Sequence, residues 1–73
     1  MIKPGDKIIF TDVYRSPNGD NMGKEYYNGT IKSLLNTDIF SVIFTHMSFD
    51  GIRYFETGNT YTTANLKDII EVI

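Results

Sequence analysis

The chain contains no cysteine and no tryptophan, and only two prolines and one alanine (Ala64) occur among its 73 residues. Without cysteine there is neither a disulfide staple nor a thiolate metal site. A chain this short buries only about 60% of its unfolded surface. It must therefore hold itself together by dense packing, by closing a barrel or by oligomerising. Basic charge is also scarce: seven scattered Lys and Arg stand against nine Asp and Glu, for a net charge of −2. Nucleic-acid binders draw much of their affinity from phosphate contacts and show a basic stripe, so this pattern argues against that class. No apolar run approaches the ~20 residues of a membrane-spanning helix. No apolar segment follows Lys3 either, as it would in a signal peptide. The expectation is one cytoplasmic domain, residues 1–73, without membrane contact.

Bulky, β-favouring side chains fill the space that these absences leave. Ten isoleucines and an aromatic content of 14% suit pleated, half-buried surfaces. The abundance of Ile, Asn, Lys, Tyr and Phe follows A/T-rich codons and fits a bacterial or phage genome.

Along the chain, Pro4-Gly5-Asp6 reads as a turn. Residues 7–13 alternate as a first strand with Ile8 and Phe10 towards the core. Residues 15–24 concentrate Pro, Gly, Asn and Asp and read as a loop. Residues 25–35 form a second strand in which Gly29 marks a bulge or a sharp bend. Asn36-Thr37-Asp38 is a tight turn. Residues 39–47 form the clearest strand, with Phe40, Val42 and Phe44 on one face. Phe49-Asp50-Gly51 turns the chain into a fourth strand at 52–57, Gly58-Asn59 turns it again, and 60–63 are extended. A single helical turn, capped by Thr63 or Asn65, precedes a last strand at 68–73. No 3.6-residue period lasts three turns, so a long helix is not expected.

The second and third strands carry apolar residues on both faces, whereas a sheet with one interior should be polar on the other. Either the strand boundaries shift by about 2–4 residues, or the strands curl enough to cover both faces. The remaining alternative is that Ile9, Ile39, Ile43 and Met47 form an outer contact surface.

Few motifs carry chemistry. His46 with Asp50 four residues later has the spacing of a carboxylate-held general base, yet no activated nucleophile accompanies it, and a strand-end surface histidine is the better account. Asn18-Gly19-Asp20-Asn21 lacks the alternating ligands, terminal Glu and flanking helices of a calcium loop and fits an Asx-type turn. Arg15, Lys24, Lys32 and Arg53 with Tyr26 or Tyr54 could stack single-stranded bases; a solvated face of mixed charge is the better account, in keeping with the acidic balance. No phosphate loop or zinc-ligand spacing is present. Neither catalysis nor a metal or cofactor is expected.

Taken together, Gly5-Asp6, the Gly29-Thr30-Ile31 step and the closing Leu66-x-x-Ile69 make the chain similar to SH3-like small β-barrels, particularly KOW- and Tudor-type ones. The resemblance implies an all-β, five-stranded barrel with one helical turn before the last strand. It also implies a ligand surface with Tyr14, Tyr26 and Tyr61 lining a groove and Asp20 and Glu25 supplying negative charge. In outline the chain also looks like the plasmid-type dihydrofolate reductases. That family's Val-Gln-Ile-Tyr step is here Ile52-Arg53-Tyr54-Phe55, and the catalytic inference fails at those residues.

The expected function is a small non-enzymatic protein-binding module, a bacterium- or phage-encoded modulator docking on a larger host protein. In this reading Tyr26, Ile39 and Ile43 bury apolar area while Asp20 and Glu25 steer towards a basic partner. Self-association is compatible with it. The alternative is a KOW- or OB-like binder of single-stranded nucleic acid.

Overall fold

The computed structural model describes residues 2–73, the side chains of Tyr14, Arg15, Asn21 and Met22 excepted. Five strands follow one another: β1 (Lys7–Arg15), β2 (Asn21–Leu34), β3 (Ile39–Ser48), β4 (Phe55–Asn65) and β5 (Ile69–Val72). A 3-10 turn, Leu66–Asp68, lies between β4 and β5. All pairings are antiparallel, in one sheet of order β4-β3-β2-β1-β5. The all-β expectation is met. The closed barrel is not: β4 and β5 are the two edges of an open sheet.

The sheet is nevertheless forced to coil. Asn65 pairs with Ile39 at one end of β3, whereas Ile69 pairs with Phe10, whose row runs through Tyr27 to Met47 near the other end. In a flat sheet these two points would lie about 30 Å apart, given ~4.8 Å between strands and ~3.3 Å per residue. The four Cα-to-Cα steps from Asn65 to Ile69 span at most about 14 Å. The difference is absorbed by curvature, which wraps one face of the sheet around a single interior. Ile8, Phe10, Ile31, Phe40, Val42 and Ala64 are buried there, with Ile2, Tyr27, Phe44 and Ile69 packed against them. The rings of Phe10, Tyr27 and Phe44 form a continuous cluster, with centroids 5.2 Å apart for Phe10–Tyr27 and 4.6 Å for Tyr27–Phe44. Such pairs each add about 0.5–1.5 kcal/mol beyond area burial.

Gly29 is where the bend is made. Asn28 pairs with His46 but Gly29 pairs with Phe44, so Thr45 is the extra residue of a β-bulge. A Cβ at position 29 would stand 2.7 Å from the Ile43 carbonyl oxygen and 3.2 Å from Phe44 Cα. Both obstacles are backbone or branch directly from it, so neither can yield cheaply. A second register break, between Ile31 and Ser33, continues the curvature along β2.

The turns at Pro4-Gly5 and Asn36–Asp38 form where expected, with side chains or backbone closing them. Gly5 N–H donates to Ile31 O and Ile31 N–H to Asp6 O, which fastens the Pro4-Gly5 turn onto β2. The Asn36 amide oxygen accepts from the Asp38 and Ile39 N–H groups, shaping the β2–β3 turn. Leu66–Asp68 makes the expected helical turn; Asn65 is its N-cap residue but makes no side-chain capping bond, and Thr63 lies within β4.

Three boundaries differ from the sequence reading. The expected loop at 15–24 shrinks to 16–20, because the β1–β2 ladder continues through Val13↔Lys24 and Tyr14↔Gly23. Backbone pairing needs no apolar period, which is why the pattern ended before the strands did. The fourth strand begins at Phe55 rather than Ile52, since the N–H groups of Ile52 and Arg53 are taken by a side chain instead of a ladder. Gly58-Asn59, expected as a turn, sits inside β4 as an irregularity. Between Phe44↔Thr60 and His46↔Glu56, β4 advances four residues against two in β3.

Replacing Gly29 with Ala should destabilise the fold by about 1–3 kcal/mol, the usual range for overpacking. A lowered urea midpoint at unchanged slope is the expected result; an unchanged midpoint would show that the bulge does not need the close approach.

Candidate functional site

The β3–β4 connection, residues 49–54, is built by two side chains. Ser48 ends β3 fully buried. Its hydroxyl donates to Asp50 Oδ1 at 2.8 Å and accepts from the Gly51 N–H at 2.9 Å. Asp50 Oδ1 also accepts from the N–H groups of Ile52 at 2.8 Å and Arg53 at 2.9 Å. These bonds replace the ladder that the backbone gives up when it leaves the sheet. They stabilise the ionised carboxylate, the Arg53 and Ile52 amides foremost, and hold Asp50 below the ordinary carboxylate value.

The loop is anchored to the sheet as well. Gly51, at φ +78°, lies against the Tyr26 ring, where a Cβ would stand 3.3 Å from the ring carbons. The Tyr54 phenol is raised by burial and by the proximity of Tyr26, Glu71 and Asp50. Glu71 pairs with Ile9, so the loop folds back over the outer face at the end of the sheet where Ile9 sits.

This framework displays apolar side chains. Ile52 is 81% exposed, Phe49 63% and Phe55 46%, and the Phe49 and Phe55 rings pack together at 5.8 Å. Phe55 pairs with Met47, and Met47 with Tyr27, so the exposed pair prolongs the aromatic side of the interior. Alongside it, Asp12 and Glu25 face each other directly across β1 and β2. Like charges so placed repel. Burial, then the Glu25 carboxylate and more weakly Asp12, push the Tyr27 phenol up to about 12. The arrangement is an apolar tip on a hydrogen-bonded loop, bordered on the β1–β2 side by two carboxylates.

The residues singled out from the sequence do not form one surface. Glu25 and Tyr26 lie at this end of the sheet and support or border the loop. Ile43 and Tyr61 are cross-strand neighbours on β3 and β4, and Ile39 pairs with Asn65 farther along. Asp20 is exposed at the β1–β2 turn, where its N–H donates to Ser16 Oγ. The Tyr14 side chain lies outside the described residues, so the three-tyrosine groove has no described counterpart; Tyr26 and Tyr61 are not neighbours in the sheet register. The outer apolar surface expected from Ile9, Ile39, Ile43 and Met47 is not assembled. Met47 pairs with inward-facing Tyr27, the other three are half-buried, and Asn28, Thr30 and His46 stand between Ile9 and Ile43.

His46 and Asp50 are not joined. His46 Nδ1 lies 2.8 Å from Thr45 Oγ1, while Asp50 Oδ1 is committed to the loop. Among the described residues no group of three or more His, Asp or Glu is placed to hold a metal ion. No helix among them is long and apolar enough to cross a membrane. Sequence reading missed Phe49, Ile52 and Phe55 because a turn followed by an alternating strand was expected there. The available signal was Ser48-x-Asp50-Gly51, a pair of turn-forming side chains ahead of apolar residues.

Asp50→Asn should speed amide exchange at Ile52 and Arg53. The sign follows from the depressed value: stabilisation by Asp50 is complete above 3.8 and is lost as pH falls through the lower folded value. Wild-type loop protection should therefore fade in acid, and the variant should lack this step; identical pH profiles would separate Asp50 from loop order. At the alkaline end, tyrosinate absorbance should show a group ionising near 12 that Tyr27→Phe removes.

Compared with protein-family models, curated proteins and solved structures, the chain matches none.

Proposed function

We propose that this chain is a non-enzymatic protein-binding module that docks on a larger protein through the β3–β4 loop. One observation carries the reading: Phe49, Ile52 and Phe55 are displayed to solvent on a backbone already held by Ser48 and Asp50. Ordering a loop on binding costs free energy, and a pre-formed loop avoids much of that cost. Exposed apolar and aromatic anchors within a polar surround have the composition of interface hot spots. Asp12 and Glu25 beside the tip favour a partner with a basic rim. Strand order and the 3-10 turn before β5 support an SH3-like plan for the scaffold, in a form whose edge strands stay unpaired. Such scaffolds commonly present ligands with loops, which is analogy at the level of fold.

The partner is to be captured from an extract of the native host, identified, and titrated as a purified protein. Ile52→Asp should weaken that affinity at least about tenfold. Because Ile52 is so exposed, fold stability should change by no more than about 0.5 kcal/mol. Unchanged affinity would remove the loop from the interface. A labelled single strand bound tightly at low salt and released steeply as salt rises, with no protein captured, would make nucleic acid the ligand instead.

A further inference from the structure

The two edges of the sheet differ in how they are protected. Natural edge strands are kept short, charged, proline-containing or bulged, because unpaired N–H and C=O groups template pairing with another chain. β5 has only four residues, with Glu71 among them and Lys67 and Asp68 just before it. β4 is hydrogen-bonded to β3 alone. Its irregularity lies at one end, around Gly58, and leaves Thr60–Asn65 in regular register with Ile39–Phe44. From Thr57 to Leu66 no side chain is charged and none is proline. Low charge, no proline and a length of six or seven residues belong to the signature of self-pairing segments.

We propose that β4 pairs antiparallel with β4 of a second copy of this chain, joining two sheets edge to edge. A two-fold contact places a residue near the pairing axis opposite its own copy, so charge near the axis would repel itself; Thr60–Asn65 contains none. Pairing centred on Thr62 keeps the contact within the regular stretch and sets Tyr61 opposite Thr63 and Thr60 opposite Ala64 of the second copy. The Tyr61–Thr63 and Thr62–Thr62 pairs suit cross-strand contact. The nearest charges, Glu56 and Lys67, lie beyond the two ends of this ladder and are opposite in sign. Tyr61, 71% exposed, packs beside Ile43 and diagonally across from its own copy, and part of the half-buried outer face becomes covered.

A six-residue edge makes a small contact of the weak, reversible class. Sedimentation of the full chain should show monomer and dimer exchanging below about 1 mM. Amide exchange over the same concentration series should gain protection within Thr60–Asn65 and not within β5 or the 49–54 loop. Tyr61→Lys and Tyr61→Glu should each weaken association at least about tenfold, and their equimolar mixture should restore it. Thr63→Lys, at another exposed β4 position, should act like Tyr61→Lys. A wild-type chain that stays monomeric throughout overturns the proposal. So does protection gained elsewhere, or association by both single variants as strong as wild type.

Discussion

Asn65 and Ile69 belong to strands at opposite edges of the sheet, yet three residues join them. The chain cannot satisfy that tether with a flat sheet, so β2 and β3 must bend as they cross between the two halves of the pairing pattern. Curvature of this kind concentrates where one strand gains a residue over its neighbour. It does so at Thr45 opposite Gly29, where the backbones approach too closely for any Cβ. The tether and the glycine are two sides of one constraint: the first demands the bend and the second permits it.

Coiling explains how so few residues enclose a core. Ile8, Phe10, Ile31, Phe40, Val42 and Ala64 come from four different strands and meet only because the face that carries them is concave. The convex face, lacking an interior, is half-buried by other means. Tyr26 takes the back of the β3–β4 loop, and Tyr54 covers the end near Glu71. The apolar side chains on the outer face of β3, Ile39 and Ile43, lie away from that loop and are half-buried without a second core.

The sites follow from what the coil leaves over. Phe49, Ile52 and Phe55 lie beyond the end of the concave face, where the interior opens to solvent, and Ser48 with Asp50 keeps them displayed. Little of this was legible in the chain. Of the residues the sequence singles out, Glu25 and Tyr26 border the loop, but Ile39, Ile43 and Tyr61 lie elsewhere, and Asp20 belongs to a separate turn. The misreading has a local cause. Residues 52–57 alternate as a strand does, but the first two amides are captured by Asp50, and a carboxylate two to three residues away outweighs a two-residue period.

The sequence by itself determined the all-β class, five strands in order, the turns at Pro4-Gly5 and Asn36–Asp38, the inward set beginning with Ile8 and Phe10, and the special role of Gly29. These rest on local chemistry: β-branched alternation, fixed or positive φ in turns, and the absence of a Cβ. Tertiary structure alone decided that the sheet stays open, that β4 runs through Gly58, that the 49–54 loop folds back onto Tyr26, and which residues share a surface. Those outcomes depend on register and on the reach of a three-residue connection. They relate residues far apart in the chain, and no local pattern encodes such distances.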